Sequence, residues 1–322
     1  MGSCTILILT YKGKHHLELL LPTVRESISN YHGKMRIDVM IVDNGRDEAT
    51  RDFSQDNFPE FHYDFSAVND YLFSLNAYIS RLETDFVLIL NDDMRMDKEV
   101  LNELIPVISN DPSLFAVTSR IMDWDGIYTA SAVRTARYKR GWVYSYYLNP
   151  SETQTKYTLY PGGGAAIFRT ALFNLLKGFD PLFRPAYYED ADLGVRAWQK
   201  GWKTLYHPKA ILFHREGGTI NDQFKKNRLE QTIYKNQILW MIKNARHPGF
   251  LGWFFLLLPY RLLIYFFNSR NHFRALLNSF AKIPDALLKR RELSIRASDT
   301  EWLGMLNLPY AGQQLNFGKR QP

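Results

Sequence analysis

Cysteine occurs once in the 322 residues, as Cys4. A lone thiol excludes an internal disulfide and any zinc site built from several cysteines, and it fits a reducing compartment. Long apolar runs are also scarce. The early stretch TILILTY stops at Lys12, too short for the h-region of a signal peptide. Only FLGWFFLLLPYRLLIYFF, residues 250–267, nears the length of a membrane span, with 18 residues and one charge. At about 1.5 Å per residue it would just cross a thin hydrocarbon core, but Pro259 and Arg261 near its centre argue against spanning. No repeat or low-complexity segment interrupts the chain. The glycine run PGGG, 161–164, is not followed by Lys-Ser or Lys-Thr, so a Walker A phosphate loop is absent.

What is present is a large supply of core-forming residues. The chain is 46% hydrophobic and 15% aromatic, which makes extended disorder implausible. Its net charge of +7 is local: from Arg246 to Arg296 there are nine Lys or Arg against two acids. The rest of the chain is balanced, which argues against a broad nucleic-acid face.

Buried-strand and helical patterns alternate from the start. CTILILTY (4–11), RIDVMIVDNG (36–45), residues 61–66, DFVLILNDD (85–93) and LFAVTSRIM (114–122) read as strands. Helical periodicity lies between them, around 15–31, 68–82 and 97–109. This alternation predicts an α/β fold with a mostly parallel, Rossmann-like central sheet and helices on both faces. Residues 124–169 break into short β-like pieces. A helix is expected over 190–200, two short strands (KTLYHP and AILFHR) after it, then a long helix over 221–245 and a frayed final dozen residues.

Open parallel sheets bind ligands outside the carboxyl ends of their strands, and several acids fall there. Asp43, in IVDNG, is either ordinary turn chemistry or a ligand contact. Asp92 and Asp93 end an apolar strand side by side. Adjacent carboxylates repel unless solvent or a cation intervenes, and a hard divalent cation shared with phosphate oxygens suits them. A solvated turn is the plainer reading. His214 ends the last strand pattern and would return to the same edge, as a metal ligand or as packing; His207, beside Pro208, has a weaker claim. The glycines at 162–164 make a simple hairpin or let backbone N–H groups approach a substrate. AYYEDADLGVRAW (186–198) sets Glu189, Asp190 and Asp192 at a helix start. Asp192 reads as a first-turn acid favoured by the helix dipole. Glu189 and Asp190 either cap the helix or point into a cleft, where a carboxylate accepts a proton.

In this order ILTYKGK, IVDNG, ILNDDM, GGGAAIFR, GFDPLF, YYEDADLGVRAWQKGWKTLYHPKAILFH and IYKNQ, spanning residues 4 to about 245, resemble the family 2 glycosyltransferases of GT-A fold, in particular the bacterial rhamnosyltransferase-like members. The resemblance implies an inverting transfer from a nucleotide diphosphate sugar (dTDP-rhamnose or a UDP-sugar) to a hydroxyl of a glycan or a polyprenyl-diphosphate-linked acceptor, in cell-surface polysaccharide synthesis. It implies that Thr10 and Asp43 contact the nucleoside, with Asp43 reading a pyrimidine ring, and that Asp92 lies near the ribose. It further implies Asn76, Gly163, Gly164 and Lys235 as donor contacts, and Asp93 with His214 as ligands of Mg²⁺ or Mn²⁺. Asp190 would be the catalytic base, with Glu189 holding the acceptor or tuning Asp190. Two departures stand out: Asn91 occupies the first position of an Asp-x-Asp metal motif, and Lys235 precedes Asn236 where relatives often carry arginine. The Gln-x-x-Arg-Trp motif of processive synthases is absent, which favours one sugar per encounter. Rival readings are a GT-A scaffold or binding protein without catalysis, and a nucleotidyltransferase.

The division expected is a catalytic domain over 1–245 and a basic, hydrophobic helical extension over 246–322. Residues 250–267 and the basic amphipathic stretch after them read as an interfacial anchor on an anionic leaflet, or else as a helical subdomain packed on the catalytic part or at a dimer interface. A cytoplasmic location on the inner face of the cell membrane follows from the anchor. Oligomeric state stays open, a homo-oligomer included.

Overall fold

The computed structural model describes residues 2–148, 152–215 and 226–310. The expectations for 221–225 and for the last dozen residues lie outside the described residues. Strand β1 (Ser3–Thr10) is buried on both faces from Cys4 onward. It pairs in parallel with β2 (Arg36–Asp43) and β4 (Phe86–Asn91). Register sets Thr10 against Asp43 and Leu9 against Asn91, so the polar residues closing three apolar strands share one edge. The helix Lys14–Ser29 covers one face with Leu17, Leu20, Leu21 and Val24, an apolar stripe at helical spacing.

The sheet runs β10 (Lys156–Tyr157), β12 (Lys203–His214), β6 (Leu114–Asp123), β11 (Ala165–Arg169), β4, β1, β2, β3 (His62–Phe65). It is mostly parallel, as expected, with one interior exception. β11 lies antiparallel between β4 and β6, Ala165 opposite Leu90. That reversal brings the glycines before β11 to the edge that holds Thr10, Asp43 and Asn91. The two short strands expected near the end of the sheet are a single strand, β12, whose pairing with β6 slips between His207 and Ile211. Pro208 sits in that irregular stretch, where its missing N–H costs no ladder bond. The helix expected over 68–82 is shorter: a 3₁₀ turn at Tyr71–Ser74 and a helix at Leu75–Ile79. The Ser74 hydroxyl bonds Val68 O and accepts from Asp70 N–H, side-chain bonding that competes with helix.

After Asp92 and Asp93 the chain folds back as β5 (Met94–Met96), antiparallel to the end of β12. The β-like pieces of 124–169 include a hairpin, β8 (Arg134–Lys139) with β9 (Trp142–Tyr147). Its two-residue turn has φ of 50° at Arg140 and 69° at Gly141, the left-handed pair that suits the twist of a hairpin.

Of the C-terminal helices Pro248–Leu256, Leu258–Asn268, Arg270–Phe280, Ile283–Glu292 and Asp299–Met305, the third and fourth pack on the long helix Lys226–Asn244, and the last packs on the helix Glu189–Gln199. One ion network ties the long helix and Ile283–Glu292 to the helix Glu189–Gln199 and to Asp180. Lys243 Nζ lies 2.6 Å from both Asp180 and Asp192. Arg196 holds Asp192 at 2.7 Å and Lys289 holds Asp180 at 2.8 Å. Burial alone would raise the Asp180 carboxyl, but Lys243 and Lys289 override it and hold it well below the ordinary range. Asp192 does lie in the first turn of its helix, as expected, and is wholly buried, where it also anchors this network. Removing one partner of such a pair strands the other charge, so Lys243→Met is expected to cost about 3–5 kcal/mol. A shift in the urea midpoint equivalent to less than about 1 kcal/mol would show that the network carries little stability.

Candidate active site

The edge defined by register is crowded with close approaches. Thr10 Oγ1 donates to Asp92 Oδ2 at 2.5 Å, both buried. A Cβ at Gly13 would come within 2.1 Å of that carboxylate and 2.3 Å of the Thr10 hydroxyl, so the turn after β1 requires glycine there. Burial, with Asp93 next to it, pushes the Asp92 carboxyl up to about 7 despite the bond from Thr10. Asp93 faces His214 Nε2 at 3.3 Å through Oδ2. Its Oδ1 is buried with no hydrogen-bond partner among the described residues. An orphaned carboxylate oxygen beside a histidine and a second carboxylate fits a divalent cation on chemical grounds. Among the described residues, no three His, Cys, Asp or Glu side chains gather to hold a metal by themselves.

The glycine turn links this group to the acids of the helix Glu189–Gln199. A Cβ on Gly164 would meet Asn91 Oδ1 at 2.2 Å, and one on Gly163 would lie 3.6 Å from the Asp190 Cβ. The Gly163 N–H donates to Asp190, as does Ala191 N–H at 2.7 Å. The helix itself begins at Tyr188, which has φ of 76° and makes no side-chain cap. Glu189 is buried, with Oε2 unpartnered among the described residues. Asp190 keeps an open edge to solvent. Burial raises both carboxyls; Asp190 adds to the rise at Glu189, and Arg134 pulls Asp190 partly back.

Tyr187 and Tyr188 both adopt left-handed backbone, with φ of 70° and 76°, a conformation that bulky residues hold only when their surroundings impose it. Asn236 imposes it here. Its Nδ2, fully buried, lies 2.6 Å from Phe183 O, 2.9 Å from Ala186 O and 2.8 Å from Tyr187 O.

Thr10, Asp92, Asp93, His214, Gly163, Gly164, Glu189 and Asp190 therefore converge. Three other candidates are committed elsewhere. Asp43 is wholly buried and accepts from Gly45 N–H, Asp47 N–H and the Tyr63 hydroxyl at 2.6, 2.7 and 2.9 Å, so here it shapes the turn after β2. Asn76 spends both ends of its amide on the backbone of Phe179. Lys235 Nζ donates to Arg184 O at 3.0 Å. Sequence reasoning missed three contributors. Tyr71, itself at φ of 48°, feels the charges of Glu189, Asp190 and Asp93. Arg134 bonds the hydroxyls of Tyr147 and Tyr160 and approaches Asp190. Asn236 stood in a recognised motif without a role. Only the aromatic-rich hairpin hinted at Arg134, and nothing local marks Tyr71.

A curled, mostly parallel sheet with acids ranged along its strand-end edge has the architecture of the GT-A sugar transferases. Residues 3–237 match the family model described as glycosyltransferase like family 2; the chain belongs to that family and is a glycosyltransferase. It is 24% identical over 244 residues to the N-acetylglucosaminyl-diphospho-decaprenol L-rhamnosyltransferase of Mycobacterium tuberculosis, covering 67% of this chain and 78% of that one. Among solved structures it resembles GalNAc-T7 with UDP, GalNAc and Mn²⁺, at 12% identity and a TM-score of 0.59, covering 92% of this chain and 59% of that one. It also resembles residues 1–349 of S. aureus TarS in complex with UDP-GlcNAc, at 17% identity and a TM-score of 0.55, covering 89% and 82%. These likenesses in structure establish the fold.

The raised Glu189 carboxyl has a consequence for stability. Its folded pKa of about 8 exceeds the ordinary 4.5. The native state therefore binds that proton more tightly, and the stabilisation is complete below pH 4.5 and lost as pH rises through about 8. Glu189→Gln is expected to leave the melting temperature nearly unchanged under acid conditions and to raise it above the wild type in mild alkali. Parallel melting curves for the two proteins across that range would contradict the assignment.

Proposed function

We propose that this glycosyltransferase is inverting and metal-dependent, and that it moves a sugar from a nucleotide diphosphate sugar, dTDP-rhamnose or a UDP-sugar, to a hydroxyl of a glycan or polyprenyl-diphosphate-linked acceptor in cell-surface polysaccharide synthesis. The observation that carries it is the pairing across one glycine turn: a cation-seeking Asp93–His214 group on one side, a partly exposed Asp190 on the other. The rhamnosyltransferase relative, named for a lipid-linked N-acetylglucosaminyl diphosphate, supports the acceptor class. UDP-GlcNAc on TarS, and UDP with Mn²⁺ on GalNAc-T7, support a nucleotide sugar and Mg²⁺ or Mn²⁺.

Asp93 and His214 would hold the cation, with diphosphate oxygens and water completing its shell. When bound, it supplies positive charge to the diphosphate as that group gains negative charge on leaving. Thr10 and Asp92 form the floor beside the nucleotide. Gly163 and Gly164 let the backbone approach the sugar where a side chain would intrude. Asp190 takes the proton from the acceptor hydroxyl on the face opposite the diphosphate, so the anomeric configuration inverts. Burial favours the protonated state the base must reach, and Arg134 and the Gly163 N–H favour the carboxylate from which it starts. Glu189, adjoining Asp190 at the helix start, holds the acceptor or tunes Asp190. We assign residues 1–245 to the catalytic unit and 246–322 to an extension that rests on the inner face of the cell membrane. Among the described residues no single helix is long and apolar enough to cross a membrane.

Two experiments test the reading. Calorimetric titration of UDP and dTDP, with Mn²⁺ or with EDTA, is expected to show metal-dependent binding of one nucleotide, abolished by Asp93→Ala. Binding that ignores both EDTA and the substitution would remove the metal from the account. Asp190→Asn is expected to lower kcat by about 10²- to 10⁴-fold while leaving nucleotide affinity unchanged; a variant that retains wild-type turnover would remove Asp190 as the base.

A further inference from the structure

The hairpin β8–β9 has two ends. One carries Arg134 and Tyr147 to Asp190. The other, around Arg140, meets the bend between the helices Pro248–Leu256 and Leu258–Asn268, which differ in direction by 49°. At that junction lies a cleft of about 480 Å³ lined by Arg137, Lys139, Arg140 and Arg261 together with Tyr144 and Tyr260, among others, and, among the described residues, by no carboxylate. The junction is fixed. Arg261 donates to Arg140 O at 2.7 Å and to Phe254 O at 3.2 Å. A Cβ on Gly141 would strike the backbone nitrogen of Phe254 at 2.1 Å, so hairpin turn and helix are in close contact. Arg261 also lies over the Trp142 ring, 5.0 Å from its centroid, which orients the guanidinium.

Four cations converging on one cleft without an anion repel each other unless a multiply charged anion sits among them. Arginine forks and a lysine suit phosphate oxygens. The surroundings identify the source of the phosphate. Beside the cleft the bent helix pair exposes Leu256, Leu263, Phe266 and Phe267, each at 60% or more. Exposed apolar side chains on the helices that line a basic cleft fit the headgroup and acyl boundary of an anionic leaflet. A free nucleotide or inorganic phosphate gives those apolar residues no role.

We propose that this cleft is a headgroup site for an anionic membrane phospholipid, with the exposed face of the bent helix pair inserted beside it. The inference rests on the reading that the C-terminal helices meet a membrane, and it adds the site that reads lipid charge. The catalytic unit supplies three of its four cations, all from the hairpin whose far end approaches Asp190. Lipid engagement would therefore hold the hairpin against the active site.

The test is co-sedimentation of the full chain with phosphatidylcholine vesicles, with and without phosphatidylglycerol. The wild type is expected to prefer vesicles containing phosphatidylglycerol. Arg137→Ala/Lys139→Ala/Arg140→Ala, with an unchanged melting temperature, is expected to lose on the order of 100-fold in affinity, about fivefold for each charge removed. Arg270→Ala/Arg274→Ala/Arg291→Ala, which removes the same number of charges outside the cleft, is expected to lose clearly less. Equal losses in the two variants would mean diffuse attraction and would overturn the site. Displacement of the protein from vesicles by inorganic phosphate alone would likewise overturn it, in favour of a free-anion site. Binding unaffected by phosphatidylglycerol and by the triple substitution would overturn the site but leave the membrane reading standing. Failure to bind either vesicle would overturn both.

Discussion

Two consecutive tyrosines in left-handed backbone are the constraint on which the rest of the site depends. Residues held in that region cost about 1–3 kcal/mol each, so Tyr187 and Tyr188 need an external reason to stay there. Asn236 supplies it, from the middle of the helix Lys226–Asn244, by reaching three carbonyls of the preceding loop. With the loop fixed, the helix Glu189–Gln199 starts abruptly, without a side-chain cap. Its first acids are left free to face the glycine turn. A conventional Ser or Asp cap would relieve the strain and would also move Asp190.

The acids of that helix divide by what meets them. Asp192, two residues beyond Asp190, finds Arg196, Lys243 and Asn244 within 2.8 Å and becomes structural. Glu189 and Asp190 find backbone N–H groups and each other, and burial lifts their carboxyls. One short sequence thus holds a structural carboxylate and a pair whose carboxyls burial raises. The difference lies in partners supplied by other elements. Through Asp180 and Lys289, the network around Asp192 also reaches the C-terminal helices. Whatever those helices rest on is mechanically joined to the helix that carries the proposed base.

Much of this was legible in the sequence. Alternating apolar strands and helical patterns revealed the sheet, and strand-end acids marked the edge that carries the candidate site, because both follow from local periodicity. The antiparallel insertion of β11 was not legible, since nothing in AAIFR distinguishes its direction. Nor was the continuity of β12: Pro208 reads as an end but is accommodated in an irregular stretch. At the site, Asp92, Asp93, His214 and Asp190 were marked by their positions at element ends. Tyr71 and Arg134 were invisible, because their relevance comes only from tertiary placement. The candidates Asn76 and Lys235 came from family resemblance, and here their side chains bind backbone carbonyls of the loop that Asn236 clamps.

If Asp190 is the base, Asn236 sets its position from the far side of the loop, through Phe183, Ala186 and Tyr187. The direct measurement is steady-state kinetics of sugar transfer by Asn236→Ala alongside its affinity for the nucleoside diphosphate. With the melting temperature showing a folded protein, kcat should fall by about 100-fold, the order expected for a displaced catalytic group, while the dissociation constant for the nucleotide stays at the wild-type value. A folded variant that transfers sugar at the wild-type rate would contradict the account, because the loop would then hold its strained turn without the clamp.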